Sequence, residues 1–398
     1  MLQLIAAILL GTLAGTFTGL IPGVHTNLIA TLTLSALAFL LTYFQPITII
    51  TFIASMAIAH TFIDFIPSIF FGAPDEDTGL SVLPGHDLLL KGHGHAAVNL
   101  TLLGSALSII LLIIIVPIFI ITVPPVYPFI QRMMAWFLIL ISIFLISKEK
   151  ESKIWALIIF ILAGFLGIAT LNSPMDQPLL PLLTGLFGSS TLIYSISKKI
   201  TIPEQKTSTF ILPKKKFIKP AIATALVSPI CSFLPGLGSS QAAIIGSEIT
   251  GEISQKQFLI LLGSINTLVM SISFVTLFLT QKTRTGAANA ISQIAQITPT
   301  ELTIILLAIL ISATISFFTA SIISKFFARH IHKFNYTLIS TLILVFLTSI
   351  ISITSGKLGM FTLVVSTLLG LTCIYAGIRR GFLMGALLIP TILFYLPF

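Results

Sequence analysis

The apolar positions of this chain are gathered into long stretches separated by short polar gaps. They fall near residues 2–21, 26–43, 47–71, 96–122, 131–147, 154–171 and 179–197, and then near 220–234, 239–250, 256–280, 298–324, 334–354, 358–378 and 381–397. About 20 helical residues cross the ~30 Å hydrocarbon core of a bilayer, so these stretches predict membrane-spanning helices, and the shortest predict half-helices or tilted pieces. Residues 198–219, with seven lysines, predict a basic linker between two halves.

Composition supports this interpretation. Only 8% of the 398 residues are charged, 56% are hydrophobic, and the mean hydropathy is +1.09. A soluble interior cannot hide so many apolar side chains, so the fold class is an all-α polytopic membrane protein. The net charge of +9 does not indicate nucleic acid, because no soluble domain is predicted. Cys231 and Cys373 offer neither a disulfide framework nor metal-ligand spacing, and we expect neither a metal nor a cofactor.

The two halves begin with the same break. Pro22-Gly23 separates the first two apolar stretches and is followed by His25-Thr26-Asn27, and Pro235-Gly236 separates the first two stretches of the second half and is followed by Ser239-Ser240-Gln241. Later, each half has a glycine-and-base element, Lys91-Gly92-His93-Gly94-His95-Ala96-Ala97 in one and Lys282-Thr283-Arg284-Thr285-Gly286-Ala287-Ala288 in the other. An internal duplication explains both correspondences, and matched Gly/Pro interruptions are a pointer to the binding site of a transporter.

The distribution of basic residues predicts the orientation of each half. If each Pro-Gly element is a re-entrant hairpin and the other five segments of each half cross straight through, the halves point in opposite directions. With the linker inside, only four of the 21 lysines and arginines fall outside: Arg132, Lys282, Arg284 and Lys357. The positive-inside rule therefore favours two inverted-topology repeats, 1–197 with a hairpin at about 2–43 and 220–398 with a hairpin at about 220–250, joined by a cytoplasmic linker at 198–219.

The Pro-Gly breaks carry the predicted substrate site. Proline and glycine stop a helix, and the restarted helix exposes amide donors that need partners in lipid. Two such helix starts facing each other form a donor-rich pocket for an anion. The alternative is that the two breaks are proline kinks that pack tightly and bind no ligand. Polar residues of the following segment, such as Asn266, line the path or merely join helices. The predicted substrate-binding residues are Pro22, Gly23, His25, Thr26, Asn27, Pro235, Gly236, Gly238, Ser239, Ser240, Gln241 and Asn266.

Two groups of acidic residues are candidates for ion coupling. Asp64 lies within an apolar span with His60 one turn earlier, and intramembrane ionisable residues are costly to bury. Asp75, Glu76 and Asp77 lie in a segment rich in acids and histidines, which suits coupling to H⁺ or Na⁺. The alternatives are a structural hydrogen bond for Asp64 and a hydrated cytoplasmic loop for the other three.

The paired Pro-Gly elements, Gly72-Ala73-Pro74-Asp75, Lys91-Gly92 and Gly286-Ala287-Ala288 together resemble the TctA family, the large permease subunit of tripartite tricarboxylate transporters. The similarity runs from about Gly11 to Ala290, and Phe-Leu-Pro-Gly-Leu-Gly at 233–238 is its most specific part. The resemblance implies a permease for carboxylate anions driven by an ion gradient, with an extracytoplasmic binding protein and a small membrane subunit as partners. It also implies that Pro22, Gly23, Pro235, Gly236 and Gly238 shape the site.

A competing interpretation is a lipid-phosphate translocase. A polyprenyl phosphate headgroup suits helix amino termini as well as a carboxylate does. An intramembrane enzyme is disfavoured because no Gly-x-Ser-x-Gly or His-Glu-x-x-His string is present. We therefore predict a non-enzymatic, multi-pass secondary transporter of a prokaryotic plasma membrane that works by alternating access, surrounded by membrane lipids and able to form a homodimer.

Overall fold

The computed structural model describes residues 1–21, 26–72, 78, 82–149, 151–175, 177–198, 202–232, 238–251, 253–333 and 335–396. These residues form helices and connecting turns, and no strand is present among them. The α-helices before the linker are α1 Leu2–Leu20, α2 Thr26–Ser35, α3 Leu37–Leu40, α4 Pro46–Ile63, α5 Phe65–Phe71, α6 Val82–Leu90, α7 Gly94–Ser147, α8 Lys153–Leu171, α9 Leu179–Leu183 and α10 Ser190–Ser197. Those after it are α11 Lys215–Cys231, α12 Ser239–Ile249, α13 Gln255–Thr280, α14 Gly286–Ile294, α15 Pro299–His330, α16 Tyr336–Tyr375 and α17 Gly385–Tyr395.

Eight helices of the described chain are long and apolar enough to cross a membrane. Two further apolar helices, Gln131–Ser147 and Arg380–Tyr395, are shorter. Many of the large apolar side chains on these helices are exposed, which is the surface that lipid solvates. The prediction of an all-α polytopic membrane protein is confirmed.

The two longest helices show how proline and glycine divide apolar segments. The predicted segments 96–122 and 131–147 form one helix, α7, with Pro124, Pro125 and Pro128 between them. A straight helix of 54 residues is about 80 Å long, far more than one crossing, and prolines are where such a helix kinks. In α16 the helical path is interrupted at Gly356, with φ 59° and ψ −152°, between the predicted segments 334–354 and 358–378.

The two spans that begin at α4 and α13 form the centre of the molecule. Within the most apolar 18 residues of Pro46–Phe71 and of Gln255–Thr280, 94% of the residues are buried, although both spans are apolar enough to face lipid. The start of α13 is fixed by a capping box, in which the Ser254 side chain accepts from the backbone of Gln257 and the Gln257 side chain accepts from the backbone of Ser254. The most enclosed part of the protein is therefore the pair of helices that carries Asp64 and Asn266.

Small residues bring these central helices close to their neighbours. Along α1, Gly11, Gly15 and Gly19 lie one turn apart against α4, and a Cβ at Gly11 or Gly15 would overlap a backbone carbonyl of α4. Gly104 of α7 and Gly263 of α13 face each other's helix in the same way. Without a hydrophobic force between helices in lipid, such close backbone packing is a main source of association.

Replacing Gly263 with alanine is expected to destabilise the protein, because the added Cβ would overlap the carbonyl oxygen of Thr101 on α7. Overpacking of this kind costs about 1–3 kcal/mol, so the thermal unfolding midpoint in detergent should fall. The control is Gly188→Ala, where the nearest atom to the new Cβ is 3.9 Å away. Equal midpoints for the two variants would contradict the close α7–α13 crossing.

Helices of the two halves pack on each other reciprocally. Helix α4 packs on α15 while α13 packs on α7, and α8 packs on α17 while α16 packs on α9, α10 and the π-helical turn Thr184–Ser189 between them. Hydrogen bonds repeat the pattern: Ser312 on α15 donates to the carbonyl of Ser55 on α4 at 2.8 Å, and Ser105 on α7 donates to the carbonyl of Gly263 on α13 at 3.1 Å. The halves thus share one interlocked core.

The predicted linker is attached to the first half rather than hanging free. The side-chain amide of Gln205, only 7% exposed, donates to the carbonyl of Leu89 at 2.9 Å and accepts from the backbone N–H of Gly94 at 2.8 Å. The backbone N–H of Lys206 donates to the carbonyl of Gly92 at 2.8 Å. The linker therefore ties the end of α6 to the start of α7. Its last part is helical, because α11 begins at Lys215.

Candidate functional site

A break between α4 and α5 positions the first candidate residue. Helix α4 ends at Ile63 and α5 begins at Phe65, with Asp64 between them. The backbone N–H of Asp64 still donates to the carbonyl of His60 at 3.0 Å, so the turn continues the helix direction. The Asp64 residue is 3% exposed and lies within the span Pro46–Phe71. The structure thus places this carboxyl group deep in the centre of the protein.

Asn266 of α13 connects Asp64 to the second half of the chain. Its Nδ2 donates to Oδ2 of Asp64 at 2.9 Å, and its Oδ1 accepts from the hydroxyl of Ser239 at 3.3 Å. An ionised carboxylate only accepts hydrogen bonds, which fixes the direction of the Asn266 amide. Three predicted site residues, separated by up to about 200 positions in the sequence, therefore form one buried chain of hydrogen bonds.

Ser239 is also the first residue of α12. Gly238 precedes it in extended conformation, and Gly238, Ser239 and Ser240 are all buried. The amides of the first turn of a helix have no partner further back in the helix, and the helix dipole adds partial positive charge there. The start of α12 therefore combines buried hydroxyl groups with backbone donors.

The corresponding helix start in the first half is α2. Thr26 begins this helix and is 6% exposed, and α2 packs on α14 and α4. Helix α12 packs on α11 and α13. Both helices thus contact the central pair of spans, α2 through α4 and α12 through α13.

Several predicted site residues lie outside the described residues. These are Pro22, Gly23, His25, Pro235, Gly236, Asp75, Glu76 and Asp77, together with the side chains of Asn27 and Gln241. The roles proposed for them stay predictions. Of the predicted set, the structure connects Asp64, Asn266 and Ser239, and it places Thr26, Gly238 and Ser240 at buried helix starts.

Two polar contacts near Asp64 were not among the predicted site residues. Nδ1 of His60 lies 3.0 Å from the hydroxyl of Thr18 on α1, and the hydroxyls of Thr61 and Thr267 lie 3.1 Å apart between α4 and α13. Thr61 falls between His60 and Asp64 in the sequence, so the polar interruption of an apolar span was the available signal. No comparable pattern marks Thr18.

The acid- and histidine-rich segment after α5 has a structural role where it is described. Oδ2 of Asp87 lies 2.7 Å from Nζ of Lys91 and accepts from the side-chain amide of Gln255 at 2.8 Å. The Lys91 ammonium, followed by the Gln255 amide, holds the pKa of the Asp87 carboxyl below its usual value. This tie between α6 and the start of α13 is therefore complete at neutral pH and is lost only as the pH falls through that lowered pKa.

Comparison with known proteins agrees with this architecture. Residues 5–385 match the Tripartite tricarboxylate transporter TctA family. The chain is 32% identical over 404 residues to Uncharacterized protein MJ1079 of Methanocaldococcus jannaschii, with 98% of each chain covered. No solved structure matches it. Neither similarity favours the lipid-phosphate alternative. Because the family match spans nearly the whole length, the chain belongs to the TctA family, the permease component of tripartite tricarboxylate transporters.

Proposed function

We propose that this protein carries di- or tricarboxylate anions across a prokaryotic plasma membrane, driven by a proton or sodium gradient. The observation that carries the proposal is the hydrogen-bond chain from Asp64 through Asn266 to Ser239. It connects a buried carboxyl group, which suits a cation, to a helix start, which suits an anion. A symporter needs these two kinds of site within reach of each other.

The anion is proposed to bind between the starts of α2 and α12. Thr26, Ser239 and Ser240 are buried at these helix starts and carry hydroxyl groups, each of which can donate one hydrogen bond to a carboxylate. For Ser239, donation to the anion replaces its bond to Oδ1 of Asn266. Backbone N–H groups at helix amino termini add donors and partial positive charge. Broken helices in membranes are tolerated where they line a cavity, which supports a binding role for both Pro-Gly elements.

Asp64 is proposed to bind the coupling ion. A charged side chain within a membrane span is costly, and binding H⁺ or Na⁺ removes that cost. Asp64 is 3% exposed, so water does not solvate its carboxyl group and its charge depends on partners within the protein. The acids Asp75, Glu76 and Asp77 are proposed as further coupling residues on the sequence argument alone.

Movement is proposed to follow from an inverted repeat. The reciprocal packing of α4 on α15 and of α13 on α7 supports two related halves, 1–197 and 220–398, that rock around a central site. The linker at 198–219 is proposed to lie in the cytoplasm, as its lysines favour. The family relation supports a small membrane subunit and an extracytoplasmic binding protein as partners, and a homodimer is proposed beside them.

Ser239→Ala is expected to weaken citrate binding by about tenfold or more, because one charge-assisted hydrogen bond contributes roughly 1.5–3 kcal/mol. Binding is measured by the thermal shift of the purified protein over a citrate titration, with succinate, inorganic phosphate and a polyprenyl phosphate in parallel. Thr26→Ala tests the other helix start in the same way.

The matched control is Ser271→Ala. Ser271 is also buried, but its hydroxyl donates to the carbonyl of Thr267 within α13. Unchanged citrate affinity in both Ser239→Ala and Thr26→Ala would contradict the proposed site. If only the polyprenyl phosphate raised the unfolding midpoint of the protein, the substrate would be a lipid phosphate and not a carboxylate.

A further inference from the structure

We infer that the end of the linker and the start of α11 form a docking surface for the anionic headgroups of the lipid bilayer. This headgroup surface consists of Ile211, Lys214, Lys215, Lys216 and Ile218. It is separate from the proposed substrate and coupling sites, and its partner is the membrane itself. It therefore adds an interaction that the transport of an anion does not require.

The outer face of α11 shows where the hydrocarbon begins. Every fourth side chain on this face is apolar and about half exposed: Ile218, Ile222, Leu226 and Ile230. Positions four apart lie on one side of a helix, so these side chains form a continuous stripe that lipid solvates. Lys215 precedes Ile218 by three residues, about 4.5 Å along the helix axis. The lysines therefore lie at the edge of the stripe, where the headgroups begin.

The lysines at this edge carry an unbalanced positive charge. Lys214, Lys215 and Lys216 are exposed, and none of them forms an ion pair with a residue that the structure describes. Glu204 is the only acid between residues 202 and 231. The first turn of α11 contains no acid either, although the helix dipole disfavours cations at this end. The phosphate groups of anionic lipids supply the missing negative charge.

Ile211 adds an apolar contact whose direction is fixed. It is 96% exposed, although it belongs to the linker and not to a spanning helix. Its neighbours Phe210 and Leu212 both pack against the hydrophobic core, and Nζ of Lys256 lies 3.4 Å from the centroid of the Phe210 ring. Because both neighbours are held inward, the side chain between them is held outward. The boundary between headgroups and acyl chains is where such an apolar side chain is stabilised.

The combination of these features favours a bilayer over a soluble acidic protein. Lysines beside large apolar side chains are typical of segments that lie on membranes, since the lysines contact phosphates while the apolar groups enter the acyl boundary. Ile211 and Ile218 flank the three lysines on both sides in sequence, and Ile218 continues into the stripe of α11. A soluble partner would have to cover a surface that is continuous with the membrane.

The headgroup surface is connected to the central helix α13. The side-chain amide of Gln257, near the start of α13, donates to the carbonyl of Lys216 at 3.0 Å. The neighbouring Lys256 contacts Phe210, as described above. Lipid that holds the lysines therefore also holds the start of α13, so anionic lipid should raise the unfolding midpoint of the protein more than zwitterionic lipid does.

The first test measures the depth of Ile211 in the membrane. The full-length protein with Ile211→Cys is labelled with a nitroxide and placed in nanodiscs of phosphatidylcholine alone or of phosphatidylcholine and phosphatidylglycerol in equal amounts. Electron paramagnetic resonance compares the access of oxygen and of a water-soluble nickel complex to the label. The native Cys231 and Cys373 are buried, so the label goes to the new cysteine.

The label at position 211 should lose access to nickel and gain access to oxygen in the mixed nanodiscs. The matched control is Thr207→Cys, an exposed position of the same linker, whose label should stay in water. High salt should return the label at position 211 toward water, because salt screens exposed charges. Equal depth of the two labels would overturn the assignment of this surface.

The second test removes two of the lysines. Each lysine near an anionic surface contributes about a fivefold factor, so Lys214→Gln/Lys215→Gln should shift the equilibrium of the label toward water by about tenfold or more. This double variant should also lose most of the rise in unfolding midpoint that phosphatidylglycerol causes. The matched control is Lys282→Gln/Lys357→Gln, which removes two exposed lysines elsewhere and should leave both readouts unchanged. Midpoints in phosphatidylcholine alone verify that both variants are folded.

Three results would overturn the inference. A label at position 211 that stays in water in the mixed nanodiscs would assign this face to a soluble acidic partner. Equal insertion in Lys214→Gln/Lys215→Gln and in the protein with native lysines would mean that apolar contact alone accounts for it. An equal loss in Lys282→Gln/Lys357→Gln would mean that net charge alone attracts the lipid. None of these results depends on what the protein transports, so the proposed function is tested separately.

Discussion

Asp64→Asn is expected to abolish the accumulation of radiolabelled citrate against its gradient in proteoliposomes, while exchange of internal for external citrate continues. Asparagine keeps the size of the side chain and its ability to accept from Asn266, but it binds neither a proton nor a sodium ion in this pH range. Without a cation site the imposed ion gradient cannot do work on the anion. We expect accumulation to fall by about tenfold or more, which corresponds to about 1.4 kcal/mol or more of lost coupling.

The control is Glu301→Gln, which removes a carboxylate of the same chain far from Asp64 in sequence. Glu301 completes the capping box of α15 by accepting from the backbone N–H of Thr298 at 2.7 Å, and glutamine preserves that role. Accumulation by this variant should match the wild type. Gradient-driven accumulation that persists in Asp64→Asn would exclude Asp64 as the coupling residue and direct attention to Asp75, Glu76 and Asp77.

Arg380→Met is expected to cause the largest loss of stability. The Arg380 guanidinium is buried between the two halves, 3% exposed, and donates to the hydroxyls of Thr191 at 2.6 Å and Ser190 at 3.1 Å. It also donates to the carbonyls of Leu186 and Phe187 in the π-helical turn Thr184–Ser189. A π-helical turn displaces the regular hydrogen-bond ladder, and the arginine supplies donors at that place.

Methionine fills similar space but donates nothing. The carbonyls of Leu186 and Phe187 keep the hydroxyls of Ser190 and Thr191 as donors, at 2.8 and 2.6 Å. The expected loss of several kcal/mol therefore comes from the four hydrogen bonds of the guanidinium, since a hydrogen bond to a charged group contributes about 1.5–3 kcal/mol. The thermal unfolding midpoint in detergent measures it. The matched control is the neighbouring Arg379→Met, whose side chain is 38% exposed and whose ion pairs are partly screened by solvent. A midpoint for Arg380→Met equal to that of Arg379→Met would mean that relief from burying the charge offsets the lost hydrogen bonds.

Arg380 also shows the limit of the sequence argument. By sequence it was one of the bases that the positive-inside rule places in the cytoplasm, with no assigned partner. Its partners are neutral carbonyl and hydroxyl groups nearly 200 positions earlier, in a π-helical turn that no periodicity signals. The linker gives a second example. Nothing in its composition predicts that the Gln205 side chain bonds to Leu89 at the end of α6 and to Gly94 at the start of α7.

The candidate site divides in the same way. Each of the three residues has its own local signal in the sequence. Asp64 is an ionisable group in an apolar span, Asn266 belongs to a polar stripe of the following segment, and Ser239 follows the break at Pro235-Gly236. Their connection could not be predicted, because it depends on how α4, α12 and α13 cross. The roles of the Pro-Gly elements stay predictions, since residues 22–25 and 233–237 lie outside the described residues.

The sequence by itself determined that this is a polytopic helical protein, where most of its apolar helices begin and end, and to which family it belongs. These properties follow from local composition, because lipid demands long apolar helices with satisfied backbones and proline and glycine mark where they stop. Only the tertiary structure decided which polar groups meet. A hydrogen bond such as that between Asn266 and Asp64 requires two helices, distant in sequence, to meet at one particular turn. The position of α13 in turn depends on its close packing against α7 at Gly104 and Gly263, which only the assembled helices bring together.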